Sequence, residues 1–157
     1  MKTIILYATK YGGAAEVARL ISALFEDSVT FDLKQDGIPS LDDFDCVIIG
    51  SSVYGGSFRS EAKLYLSQNA EVLCKKKLGL FACSMSKSES TEVFKTNVPD
   101  DVLAATTAVC ATGGIFNPEK ANFFEKLIIR IVSKQKGHIN NISGENILEF
   151  AEAMKEE

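Results

Sequence analysis

Residues Lys2 to Phe25, KTIILYATKYGGAAEVARLISALF, hold the pattern that most narrows what this chain can fold into. The apolar run Ile4-Ile5-Leu6-Tyr7-Ala8 is continuous, as in a strand covered on both faces. It passes directly into Thr9-Lys10-Tyr11-Gly12-Gly13, after which the apolar period becomes helical, with Val17, Leu20, Ile21 and Leu24 on one stripe. A strand, a glycine-bearing turn and a helix thus follow one another without a linker. Such a turn aims backbone N–H groups, the Thr9 hydroxyl and the positive end of the helix dipole at one point, a setting suited to a phosphate. The same residues also fit an ordinary strand–helix connection whose glycines only permit a tight bend.

The alternation continues to the end of the chain. Ser28 to Leu33 reads as a second strand, closed by a turn at Gln35-Asp36-Gly37-Ile38-Pro39. Cys46-Val47-Ile48-Ile49-Gly50 is a third, running into the loop Ser51 to Ser57, and a helix is expected from Ser60 to Cys74. Leu78 to Ser84 is a fourth strand, Glu89 to Thr96 a short helix, Thr106 to Thr112 a fifth strand ending at Gly113-Gly114, and Gly144 to Lys155 the last helix. Near-continuous apolar strands alternating with helices predict an α/β fold with a parallel sheet covered on both faces. Ligands on such sheets sit at the carboxyl ends of the strands, at the topological switch point. The loops Thr9–Gly13, Ser51–Ser57 and Ser84–Lys87 supply small, polar or glycine-bearing ends there.

With 157 residues, a single domain over 1–157 is expected. No apolar run approaches the ~20 residues that span a bilayer. Lys2 enters the first strand at once, so no leader is expected. Cys46, Cys74, Cys83 and Cys110 form no C-x-x-C pair, and three of them lie in apolar runs, which predicts reduced thiols and a cytoplasmic setting. A net charge of −4 argues against nucleic acid as the partner. His138 stands alone in a polar loop, so no metal is expected. Asp32 follows Gly12 at the distance of a dinucleotide-binding acid, but the G-x-G-x-x-G spacing is absent, and Asp32 reads as a turn residue ending the second strand.

One stretch exceeds a usual connection. Between about residues 115 and 142 the chain inserts a segment with its own helix, roughly Glu119 to Gln135, apolar along Phe123, Phe124, Leu127, Ile128, Ile131 and Val132 and net positive elsewhere. It fits either an added helix packed on the sheet edge or a surface helix touching an anionic membrane, a quinone or a partner protein.

The first loop resembles that of the flavodoxin family, T-x-T-G-x-T. Here it reads Thr9-Lys10-Tyr11-Gly12-Gly13-Ala14, which keeps the first hydroxyl and the first glycine and places Tyr11 and Ala14 where two hydroxyls are usual. The resemblance implies a flavodoxin-like doubly wound five-stranded sheet of order 2-1-3-4-5 with the helical insertion after the fifth strand. More narrowly, GSSVYGGSF, FACSMSK and ATGGIFNP followed by a basic-apolar helix are similar to flavodoxin-like proteins of the menaquinone-dependent protoporphyrinogen oxidase type. The resemblance implies non-covalent FMN. Its phosphate would lie on Thr9, Lys10, Tyr11, Gly12, Gly13 and Ala14, and its ring edge along Ser51, Ser52, Val53, Tyr54, Gly55, Gly56 and Ser57. Its other side would lie near Ser84, Met85, Ser86, Lys87, Gly113 and Gly114. Tyr54 and Phe58 are the rings that could stack on a flavin, Phe58 fitting core packing equally well. The implied function is electron transfer with a redox partner protein. The alternative is a quinone-coupled oxidoreductase that meets the inner face of the membrane through the insertion helix. No catalytic residue is assigned.

Overall fold

A computed structural model of the chain describes residues 1–84, 91–113, 115–116, 139–140 and 142–157. β1 (Thr3–Ala8) leads through a turn into α1 (Gly13–Ser22) and then β2 (Ser28–Asp32). A 3-10 turn at Leu41–Asp43 precedes β3 (Cys46–Tyr54), which folds back as β4 (Ser57–Phe58). Next come α2 (Ser60–Gln68), α3 (Ala70–Leu73), β5 (Lys77–Cys83), α4 (Glu92–Asn97), α5 (Asp100–Ala105) and β6 (Ala108–Ala111). A short antiparallel pair, β7 (Ile115–Phe116) with β8 (Ile139–Asn140), is followed by α6 (Gly144–Lys155).

The sheet order is β2-β1-β3-β5-β6, all parallel, with β4 antiparallel on β3. Apart from the hairpin strand this is the expected 2-1-3-4-5 order, and β4 makes six strands where five were expected. The apolar runs are continuous because both faces are covered. Ile4, Leu6, Val47, Ile49, Leu78 and Leu80 face one core cluster, while Ile5, Cys46, Ile48, Phe81 and Cys83 face the other. Ala62, Leu66, Leu73, Phe94 and Val102 from α2 to α5 close the first cluster. Val17 and Ile21 of α1 with Phe150 and Met154 of α6 close the second.

Several boundaries differ from expectation. β3 runs on to Tyr54 because its continuation pairs with β4, so half of the expected Ser51–Ser57 loop is strand. The expected Ser60–Cys74 helix is broken at Asn69, whose side-chain Nδ2 and backbone N–H both donate to the Tyr65 carbonyl, at 2.9 and 3.0 Å. β2 and β6 are shorter at their ends than expected, and β5 keeps the expected length but starts and ends one residue earlier. The short helix begins at Glu92 and ends at Asn97, and α5 is an element the apolar pattern did not announce. The insertion helix Glu119–Gln135 and His138 lie outside the described residues. Among the described residues no helix is long and apolar enough to cross a membrane.

Candidate functional site

The parallel register gathers the carboxyl ends of four strands into one row. Ala8 pairs with Ser51, Ser52 with Cys83, and Ala82 with Ala111. The chain leaving β1 enters the turn to α1 at Thr9. Gly12, the residue before the helix, sits at φ +93° with nothing within 4 Å of where a Cβ would stand, so conformation rather than crowding requires glycine there. Its N–H donates to Thr9 Oγ1 at 2.9 Å. The first helical bond runs from Glu16 N–H to the Gly12 carbonyl at 3.0 Å, and no side chain caps the helix. Among the described residues the first-turn N–H groups of Gly13, Ala14 and Ala15, at the positive helix end, meet no side-chain acceptor. Ala14 serves through its backbone only, since its side chain is fully buried in the core under α1.

Ser52 ties this turn to β3. Its Oγ donates to Thr9 Oγ1 at 3.5 Å and accepts the Lys10 N–H at 3.4 Å. Thr9 Oγ1 thus accepts twice, which leaves its own proton for a further acceptor. Lys10 Nζ lies 4.3 Å from the Tyr54 ring centroid and 5.6 Å from that of Tyr11, a cation–π contact that links turn and hairpin. The carboxylate in the first turn of α1, Glu16, is held by Arg19 through bonds of 2.7 and 2.9 Å. The Arg19 hydrogen bonds keep that carboxyl below its usual range and offset its charge at the helix end.

The β3–β4 hairpin is the second wall. Gly55 and Gly56, at φ +58° and +75°, make the two-residue turn between paired Tyr54 and Ser57, a turn that needs positive φ at both positions. Buried Asn97 at the end of α4 clamps it: Oδ1 accepts the Phe58 N–H at 2.9 Å and Nδ2 donates to the Gly56 carbonyl at 2.8 Å. Phe58 is 4% exposed and meets Phe94 edge-on at 5.9 Å, so it is a core residue and Tyr54 is the ring left at the site. The Ser51 hydroxyl is also structural, donating to the Ser52 carbonyl and accepting the Arg59 N–H at 2.8 Å. Val53 packs against the core, and Ser57 Oγ accepts from Lys63 Nζ at 3.1 Å.

The third wall follows β5 and β6. Ser84 directly follows Cys83, and Gly113 turns at φ +76° after Thr112. Thr112 is buried, with its Oγ1 3.2 Å from Cys83 Sγ and its carbonyl accepting the Ser143 N–H at 2.8 Å. Met85, Ser86, Lys87 and Gly114 lie outside the described residues. Burial pushes the Cys83 and Cys110 thiols up to about 12 and Cys46 up to about 11, so none of them is a nucleophile near neutral pH. Among the described residues no group of His, Cys, Asp and Glu could hold a metal ion. Asp32 accepts the Lys34 N–H at 2.9 Å, as a strand-end turn residue does.

Three residues with a part in this geometry were not visible in the sequence. Asn97 lies in a six-residue helix far from the hairpin in sequence, and Arg59 and Lys63 carry no apolar period. The spacing of Arg59 and Lys63 on either side of a helix start was the one available signal.

A family model described as a flavodoxin domain matches residues 4–142. No curated protein sequence matches the chain. Among solved structures, two-electron reduced flavodoxin from Megasphaera elsdenii superposes with a TM-score of 0.61 at 14% identity, covering 97% of each chain. A flavoprotein in complex with FMN from Lactobacillus acidophilus gives 0.53 at 16% identity, over 70% of this chain and 92% of that one. Rubredoxin oxygen:oxidoreductase from Desulfovibrio gigas gives 0.57 at 14% identity, and the chain spans 36% of that protein's length. These likenesses establish the fold.

Proposed function

The chain belongs to the flavodoxin domain family, and on that premise we propose that it holds FMN without a covalent bond and passes electrons between redox partners. The observation that carries this reading is the turn into α1, where N–H groups without a side-chain cap, the Thr9 hydroxyl and a positive helix end come together. Thr9, Lys10, Tyr11, Gly12, Gly13 and Ala14 would hold the phosphate, Lys10 adding a positive charge. Ser51 to Ser57 would border the ring, with Tyr54 as its aromatic wall. Ser84 and Gly113, continuing in sequence to Met85, Ser86, Lys87 and Gly114, would complete the slot. FMN, once bound, supplies one- and two-electron transfer. The chain's own part is to bind and orient it. Asn97 keeps the hairpin in place and fixes the Gly56 carbonyl, and the Ser52 bridge keeps hairpin and phosphate turn at a set distance.

The finer reading, a quinone-coupled oxidoreductase of the protoporphyrinogen oxidase type at a membrane surface, depends on the insertion helix. No feature of the described residues favours it over simple electron transfer. The carrier reading is tested by the visible spectrum of the purified protein before and after adding FMN, with released cofactor identified by chromatography. Flavin bands with FMN released are the expected result; a colourless protein that FMN fails to saturate overturns it.

A further inference from the structure

On the flank of the hairpin, Tyr54, Ser57, Phe58, Arg59, Ser60 and Lys63 line a pocket of about 300 Å³. Two of these side chains are cationic and none is acidic, in a chain whose net charge is −4. Lys63 Nζ is held over the pocket by its 3.1 Å bond to Ser57 Oγ, which leaves further N–H donors on the ammonium. Arg59 Nε is buried and meets no hydrogen-bond acceptor among the described residues. Ser60 opens the nine-residue α2, in whose first turn the Glu61 carboxylate accepts its own backbone N–H. Glu61, next in sequence, does not line the pocket. It takes the Ser60 hydroxyl at 3.3 Å and lies 3.9 Å from Lys34 Nζ.

We propose that this pocket binds an oxyanion, a carboxylate or phosphate, carried by the compound that exchanges electrons with the protein. A guanidinium and an ammonium lining a space this small match a tetrahedral or planar anion better than an apolar group. Tyr54 is shared by the two sites: it lines this pocket, and its ring lies 4.3 Å from Lys10 of the phosphate turn. An anion seated here is thus anchored beside the slot proposed for the flavin. The assignment of its carrier as an electron partner rests on the FMN reading, whereas the anion site itself does not.

The test is an amide NMR titration of the protein, first FMN-saturated and then flavin-free, with inorganic phosphate and separately with succinate. Saturable shifts at Ser57, Ser60 and Lys63 are expected, and the anion that binds more tightly identifies the group. Arg59→Gln and Lys63→Gln should each weaken binding by about tenfold, the loss of one charge-assisted contact, and Arg59→Lys by less. No saturation at tens of millimolar, shifts confined to Gly12–Ala15, or binding unchanged in both Gln variants would overturn the site. Saturation at the pocket in a protein that cannot bind FMN would keep the site and sink the electron-partner assignment.

Discussion

The side chain of Asn97 is bonded to the hairpin at two points, accepting from Phe58 N–H at 2.9 Å and donating to the Gly56 carbonyl at 2.8 Å. Its Nδ2 also donates to the Val93 carbonyl of its own helix at 2.8 Å. A carboxamide can accept once and donate twice here without bringing a charge into the core. Replacement by Leu leaves a buried N–H and a carbonyl unpaired, for an expected cost of about 1–3 kcal/mol per group. Urea unfolding of Asn97→Leu should show that loss. Asn97→Asp should be destabilised as well, and should regain stability as pH falls and its carboxyl takes up a proton.

The phosphate turn makes a second expectation. Thr9→Val removes both the acceptor for Gly12 N–H and the hydroxyl proton, and should weaken FMN by about tenfold, one hydrogen bond to a charged group. Gly12→Val forces a β-branched residue to φ +93°, costing on the order of 1–3 kcal/mol, and should weaken FMN further. Gly12→Asn, better tolerated at positive φ, should fall between wild type and Val. Fluorescence titration with FMN checks all of these, and equal affinity across the series would place the phosphate elsewhere.

Gly50 and Phe81 form a tight pair across β3 and β5. A Cβ at Gly50 would lie 2.0 Å from the Phe81 ring, so Gly50→Ala should destabilise the fold by more than the ~1–3 kcal/mol typical of overpacking. Phe81→Leu alone should cost about 1 kcal/mol or more, yet in combination with Gly50→Ala should restore part of the loss. A double-mutant cycle in urea tests this; strict additivity would mean that the ring is not the obstacle.

Alkaline pH should act through the buried thiols. In the unfolded chain they ionise near 9, while in the folded protein burial pushes Cys46 to about 11 and Cys83 and Cys110 to about 12. Because the folded values are raised, this contribution is fully present below pH 9 and is lost as pH rises from 9 through 11 and 12. Within that window each thiol should lower stability by up to ~1.4 kcal/mol per pH unit. Tyr7 and Tyr65, raised chiefly by burial, act in the same direction at higher pH. Urea midpoints at about pH 8 and about pH 10 should diverge, and Cys83→Ala should narrow the gap. A thiol reagent near neutral pH should label exposed Cys74 quickly and the buried three slowly.

How much of this was legible depended on whether the determining contact was local. The buried strands were, since Ile4 to Ala8 and Cys46 to Ile49 need no polar alternation when both faces are covered. The turn from Thr9 to Gly13 was legible because its chemistry lies within a few residues. The Gly55-Gly56 turn was read as an open loop, since the pairing that turns it into a hairpin lies on both sides of it. Asn97 was invisible because a six-residue helix end gains its meaning from a hairpin 41 positions earlier. The inward turn of Ala14 and the burial of Phe58 likewise belong to tertiary packing, which residue type does not specify.

The β7–β8 pair has a consequence for engineering. Ile115 stands opposite Asn140 and Phe116 opposite Ile139, and the Thr112 carbonyl holds the Ser143 N–H. The two ends of the intervening 117–138 segment are therefore brought together by a ladder of their own, outside the main sheet. Closing a shorter or longer loop on such a stem costs little, because loop entropy varies only logarithmically with length. Evolution or a designer could exchange this cassette for a tight turn, or graft a foreign recognition segment onto it, without renegotiating the strand order beneath.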